Sequence, residues 1–131
     1  GKKIKGSKIA LLGWAFLNDS DDYRNTPAEP YKEWAEKEGA KIMVHDPHVR
    51  PYEGMAIGTD IDKTIKDADA IVIFAGHKQY YELDPGKAKK LMKQKPVIID
   101  GRNVIEPDKW INAGYSYKGI GRGDKNSHKL A

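Results

Sequence analysis

Two strand-like segments constrain the fold of this chain most strongly: KIALLGWAF at 8–16 is a continuous apolar run, and DADAIVIFAGH at 67–77 contains the unbroken apolar residues 71–74. A strand that is apolar on both faces is typical of the middle of a parallel sheet with helices on each side. Two further strand-like segments, AKIMVHDP at 40–47 and PVIIDGRN at 96–103, are separated from these runs by helix-forming stretches. The alternation predicts an α/β fold with a parallel sheet.

Six segments have strand character once MAIGTD at 55–60 and YSYKGIG at 115–121 are included. We therefore predict a Rossmann-like, doubly wound, mostly parallel sheet of five to six strands with helices on both faces, in the order 3-2-1-4-5-6. Thr26, Pro27 and Glu29 indicate a capping box that starts the first helix. The helices are predicted at about 27–38, 61–67, 85–94 and 106–114.

Length and composition limit the classes of function. The 131 residues fit a single domain over 1–131, with a core at about 7–123 and a polar tail at 124–131. A net charge of +4, from 23 basic and 19 acidic residues, suits a small anionic ligand and is too mild to indicate nucleic acid. The absence of cysteine excludes disulfides, thiolate metal sites and a cysteine nucleophile within this chain.

The longest apolar stretch, from Ile9 to Leu17, is far shorter than the ~20 residues that a membrane-spanning helix needs. No signal-peptide pattern follows the basic N-terminus. We therefore expect no membrane partner and a cytoplasmic location.

Four predicted loops follow strands and should meet at the carboxyl edge of the sheet, where doubly wound folds bind ligands. Two of them carry an arginine, whose planar guanidinium suits phosphate or carboxylate. An ion pair with Asp21 or Asp22 explains Arg24 as well as a ligand contact does, whereas Arg102, directly after IIDG, favours a ligand. The four loops are residues 14–26, 46–50, 76–80 and 100–103.

The aromatic residues of the first loop leave two interpretations open. Trp14 and Phe16 are either core residues beneath the loop or, for Phe16, a platform for a base. His45 and His48 have no third close ligand in the sequence, so no metal site is predicted.

Two glycine patterns bear on phosphate binding. A dinucleotide site needs G-x-G-x-x-G, and only Gly13 precedes the acidic WAFLND segment, so NAD binding by this chain alone is disfavoured. GIGRGD at 119–124 has closely spaced glycines but no helix after it, and a turn is the favoured interpretation.

KIALLGWAFLNDSDDYRNTPA, VHDP, DADAIVIFAGH, VIIDGRNVIEP and YKGIGRG occur in this order over about residues 7–123. Together they resemble the C-terminal, UDP-binding domain of the UDP-glucose/GDP-mannose dehydrogenase family. The resemblance implies an NAD-dependent enzyme that oxidises the C6 alcohol of a nucleotide sugar to a carboxylate, with two NAD used in turn and a cysteine nucleophile. It also implies an N-terminal NAD-binding domain and a central helical dimerisation region, both absent here.

On that resemblance the chain is a fragment that begins near the start of the third domain. The partners implied are the UDP-sugar substrate and the two missing domains, in a full-length homodimer. NAD is then bound mainly by the absent N-terminal domain, no catalytic residue lies in this chain, and the isolated domain is inactive. A stand-alone nucleotide-binding or regulatory module, and a small independent NAD-binding protein, remain as alternatives.

The resemblance also assigns site residues. Phe16 and Leu17 match the family's Phe-Lys pair at the nucleotide, and Arg102 matches the arginine of DGR on the phosphate side of the substrate. Arg24 matches the arginine of DDxRxSP that reaches towards the cofactor. Leu17 departs from the family's lysine, so a cationic ligand contact is either missing or supplied from elsewhere.

Overall fold

The computed structural model describes residues 4–119, which form one parallel five-stranded sheet. The strands lie in the order β2-β1-β3-β4-β5, and every neighbouring pair is parallel. This confirms the predicted Rossmann-like α/β class. The strands are β1 (Lys8–Leu12), β2 (Lys41–His45), β3 (Ala70–Ile73), β4 (Val97–Asp100) and β5 (Ser116–Gly119).

The predicted short strand at 55–60, placed at the edge of the sheet beside β2, is wrong, and the remaining five strands keep their predicted order. This segment forms only isolated bridges, one of which joins Gly58 to His45 beside the outer edge of β2. Met55 closes a tight turn with Tyr52, and the Asp60 side chain caps the helix that follows. Too few residues remain between that turn and that cap to extend a ladder.

The helices confirm the predicted alternation but are shorter than predicted. A helix directly after β3 replaces the expected polar turn. Within the described residues no helix combines the length and apolar character that crossing a membrane requires. The helices are α1 (Ala28–Lys37), α2 (Ile61–Ile65), α3 (Lys78–Tyr81), α4 (Pro85–Leu91) and α5 (Pro107–Asn112).

Two apolar cores lie on the two faces of the sheet, as β-strand alternation requires. Each buried aliphatic side chain in them stabilises the fold by ~1.5–3 kcal/mol relative to exposure. One core joins the sheet to α2, α4 and α5, and the other joins it to α1. The first includes Leu12, Ile71, Ile73, Ile98 and Trp110, and the second includes Ile9, Leu11, Trp14, Ala35 and Val44.

At the start of α1, Pro27 has the helical backbone conformation that was predicted, but the predicted capping box does not form in full. Pro27 has helical angles, φ −69° and ψ −14°, and the Thr26 hydroxyl accepts a hydrogen bond from the Ala28 N–H at 3.2 Å. The Thr26 N–H donates to the Tyr23 carbonyl instead of to Glu29. The loop before the helix therefore turns back on itself through Tyr23.

Candidate ligand-binding site

Gly13 ends β1 and brings the following loop against β3. Its φ of +100° is a left-handed conformation, and a Cβ there would lie 2.6 Å from both the backbone N and the Cβ of Ala75. Only glycine fits both constraints. The close approach carries the loop after β1 across the carboxyl end of β3.

The buried carboxylate of Asp46 accepts hydrogen bonds from three of the loops. Asp46 Oδ2 accepts hydrogen bonds from the N–H groups of Trp14 and Ala15, at 2.8 and 2.9 Å, and from His77 Nε2 at 2.9 Å. Its Oδ1 accepts from the backbone N–H groups of residues 48–49 at 2.7 and 3.1 Å. Burial by itself would raise the pKa of Asp46, but these hydrogen bonds outweigh it and lower that pKa to about 2.

Both ring nitrogens of His77 are occupied. Nδ1 accepts from the Asp19 N–H at 2.8 Å, so Nε2 carries the proton and donates to Asp46. Asp19, His48 and His77 lie close enough to resemble a metal-ligand set. However, His77 has no free lone pair, and Asp19 Oδ1 accepts from the Lys78 N–H at 2.8 Å. The three residues therefore connect the loops after β1, β2 and β3 to one another.

His45, the other histidine considered as a metal ligand, does not lie with His48 and His77. Its ring is fully buried, with Nδ1 2.8 Å from the Tyr80 hydroxyl and Nε2 3.2 Å from the Thr59 carbonyl. Burial is the main cause that lowers the pKa of His45. The two histidines do not form a shared site.

Arg102 reaches from the end of β4 to the loop after β1. Asp100, buried beneath it, accepts from the Arg102 N–H at 2.9 Å and so shapes the turn. One terminal nitrogen of Arg102 donates to Asn18 Oδ1 at 3.0 Å, and the other lies 3.4 Å from the Phe16 carbonyl and 3.5 Å from the Phe74 carbonyl. All the partners described for this guanidinium are neutral oxygens.

Phe16 and Leu17 lie on the same loop and are 43% and 50% exposed. Trp14, two residues earlier, is 1% exposed, so the core interpretation is confirmed for Trp14 and fails for Phe16. The backbone carbonyl of Phe16 lies 3.4 Å from the Arg102 guanidinium, and Leu17 follows Phe16 on the same loop. Both residues stay predicted ligand contacts.

Arg24 is not part of this group. Its Nε and one terminal nitrogen donate to the two carboxylate oxygens of Asp22 at 3.0 and 2.8 Å. The Arg24 hydrogen bond is the main cause that lowers the pKa of Asp22 to about 2. The ion-pair interpretation is confirmed, and with 85% of its side chain exposed Arg24 stays a predicted cofactor contact.

Sequence reasoning missed Asn18, His77 and the role of Asp46. The available signal was position, because Asp46 and His77 each directly follow an apolar strand segment.

A cleft of about 510 Å³ lies elsewhere, at the outer edge of β2 and lined by residues such as Ile57 and Lys63. Its lining includes none of the candidate residues, and the topology favours the loop edge.

The fold defines a Rossmann-like α/β domain in which the loop after β1 has no glycine-rich phosphate-binding pattern. Residues 10–107 match the model of the UDP-glucose/GDP-mannose dehydrogenase family, UDP binding domain. The chain therefore belongs to that family and corresponds to its UDP-binding domain.

Relatives support this placement. The chain is 35% identical to the UDP-glucose 6-dehydrogenase TuaD of Bacillus subtilis (strain 168), over 91% of this chain and 27% of that protein. It is 37% identical to the UDP-N-acetyl-D-mannosamine dehydrogenase of Pyrococcus horikoshii, over 88% of this chain and 26% of that protein.

A crystal structure of the NDP-N-acetyl-D-galactosaminuronic acid dehydrogenase from Methanosarcina mazei Go1 has 55% identity and a TM-score of 0.92, covering 98% of this chain and 27% of that one. The chain thus spans about a quarter of the length of these relatives.

Proposed function

We propose that this chain holds the UDP part of a UDP-sugar at the carboxyl edge of its sheet. It does so as one part of an NAD-dependent UDP-sugar 6-dehydrogenase that oxidises the sugar C6 alcohol to a carboxylate. The observation that carries the proposal is the Arg102 guanidinium, which lies at this edge and whose partners among residues 4–119 are neutral oxygens. A diphosphate gains charge-assisted hydrogen bonds from such a group.

The residues around Arg102 suit the rest of the nucleotide. Phe16 offers an exposed aromatic face on which a base can stack, and Leu17 adds apolar surface beside it. Binding the nucleotide here orients the sugar, because binding energy remote from the reacting carbon contributes to positioning. The contribution of this domain to the reaction is therefore positional.

The residues after β1 do not have the pattern that holds NAD, because only Gly13 precedes WAFLND. A Cβ at Gly13 would meet Ala75, so this glycine allows a close approach within the chain, and both oxygens of Asp46, the acid after β2, accept hydrogen bonds from protein donors. The proposal therefore has NAD bound mainly by an N-terminal domain of the complete enzyme, with Arg24 reaching towards it. The complete enzyme is a cytoplasmic homodimer with a central dimerisation region, active in polysaccharide biosynthesis.

The test is calorimetric titration of this chain with UDP and with NAD. We expect UDP to bind, NAD not to bind, and Arg102→Ala to weaken UDP binding at least about tenfold. Lys41→Ala is the matched control, since it removes an exposed cation at the opposite end of β2 and should change UDP affinity less than about twofold. Binding of NAD without UDP would support the independent NAD-binding alternative.

Turnover is tested separately. The pure chain mixed with UDP-glucose and NAD should show no NADH absorbance, because it contains no cysteine and no G-x-G-x-x-G pattern after β1. NADH formation by pure material would contradict the proposed division of labour among domains.

A further inference from the structure

The side chain of Asn18 ties the loop after β1 to the ends of β3 and β4. Its Oδ1 accepts from the Gly76 N–H at 2.7 Å and from Arg102 at 3.0 Å. A Cβ at Gly76 would lie 3.0–3.1 Å from the atoms of this amide, so the amide packs directly on the Gly76 backbone. Asn18 therefore presents a fixed oxygen to the guanidinium.

The neutrality of that oxygen matters for binding an anion. A carboxylate in its place would pair with the guanidinium and offset its charge, whereas an amide orients it and leaves the charge available. The same loop contains the opposite case, because Arg24 is held by both oxygens of the Asp22 carboxylate. The charge of Arg24 is thus neutralised by a carboxylate, whereas Arg102 is oriented by an amide.

We infer that Asn18 is a positioning residue that holds Arg102 ready for the diphosphate of the nucleotide. Leu17, next to Asn18, supplies no cation, so the Asn18 contact brings the charge of Arg102 to this loop from β4. This inference rests on the proposed function and adds a residue to its binding machinery.

The Asn18→Asp variant tests whether Asn18 positions Arg102 for the ligand or only stabilises the fold. The aspartate keeps an acceptor for the Gly76 N–H, so the midpoint of thermal unfolding should be unchanged or higher. UDP affinity measured by calorimetry should fall at least about tenfold, because the new charge pairs with Arg102 and repels the diphosphate. Gln94→Glu is the control, since it makes the same chemical change in the exposed loop before β4, at the opposite edge of the sheet, and should change affinity less than about twofold.

A double-mutant cycle tests whether Asn18 acts through Arg102. We expect Asn18→Ala to weaken UDP binding about fivefold in the wild-type background and less than twofold in the Arg102→Ala background. Equal losses in both backgrounds, or an Asn18→Asp variant with wild-type affinity, would overturn the inference while leaving the proposed function intact. Failure of the wild-type chain to bind UDP would instead count against the proposed function.

Discussion

Asp46 shows how a single buried charge organises this domain at the residue scale. The donors around it come from the loops after β1, β2 and β3, which are far apart in the sequence. The hydrogen bonds offset the cost of burying the carboxylate. The loop that carries Phe16 is therefore held in place by a buried carboxylate whose two oxygens accept hydrogen bonds from the protein.

Asp46→Asn should lower the free energy of unfolding by about 3 kcal/mol, because an NH2 group would face backbone N–H donors in a buried place. Urea unfolding followed by tryptophan fluorescence measures this. Asp60→Asn is the control, since Asp60 caps α2 at an exposed position and asparagine caps nearly as well, for a change below about 0.5 kcal/mol. Equal losses in the two variants would contradict the assigned role of Asp46.

At the scale of elements, the turn between β1 and its loop decides the shape of the ligand edge. Gly13 combines a positive φ with contact to Ala75 that leaves no space for a side chain. The loop crosses β3 because of this approach, and the crossing brings Asn18 to Gly76 and Arg102. A small backbone feature thus places the residues that we propose bind the nucleotide.

Gly13→Ala should destabilise the domain by about 3 kcal/mol or more, since it adds a steric clash with β3 to the strain of a positive φ. Gly54→Ala is a matched comparison, with φ +78° and nothing within 4 Å of the added Cβ, and should cost only about 1 kcal/mol. Thermal and urea unfolding of both variants give the comparison. A smaller loss at Gly13 than at Gly54 would mean that the contact with Ala75 relaxes easily.

At the scale of the whole molecule, the buried polar groups should make stability depend on pH. Burial lowers the pKa of His45 below its ordinary value of 6.5, with Asp46, His77 and Asp60 as its charged or titratable neighbours. The unfolded chain therefore binds a proton that the folded chain resists, and stability falls as the pH drops below about 6.5. Asp46, with its pKa lowered from 3.8 to about 2, adds a further loss between those two values.

The free energy of unfolding should accordingly be greatest near neutral pH and decrease between pH 6.5 and 5. Urea titrations at several pH values measure it. His45→Gln should flatten this part of the profile, whereas His48→Gln, at an exposed position, should preserve its slope. A His45→Gln profile as steep as that of the wild type would assign the dependence to other groups.

The fold was largely predictable because its strands are continuous apolar runs and its helices have local stop and start signals. Ile71 to Ile73 and Leu11 to Leu12 are buried on both faces of the sheet, as is typical of central parallel strands. The segment at 55–60 was mistaken for a strand, because the turn at Met55 and the cap at Asp60 outweigh its apolar residues. The GIGRGD segment beyond residue 119 and the polar tail lie outside the described residues.

The amino-acid sequence by itself determined the α/β class, because hydrophobic period and local propensity carry that information within a few residues of the chain. The carboxyl edge as the ligand side follows from the rule for such sheets and stays a prediction. The roles of Phe16, Leu17, Arg24 and Arg102 at the ligand are implied by the resemblance to the family and also stay predictions. Only the tertiary structure decided that Arg102 donates a hydrogen bond to Asn18 while Arg24 donates to Asp22. It also decided that Asp46 is buried and accepts hydrogen bonds from neighbouring loops. The physical reason is that hydrogen bonds across tens of residues depend on how loops cross, and the crossing here depends on the close contact of Gly13 with Ala75.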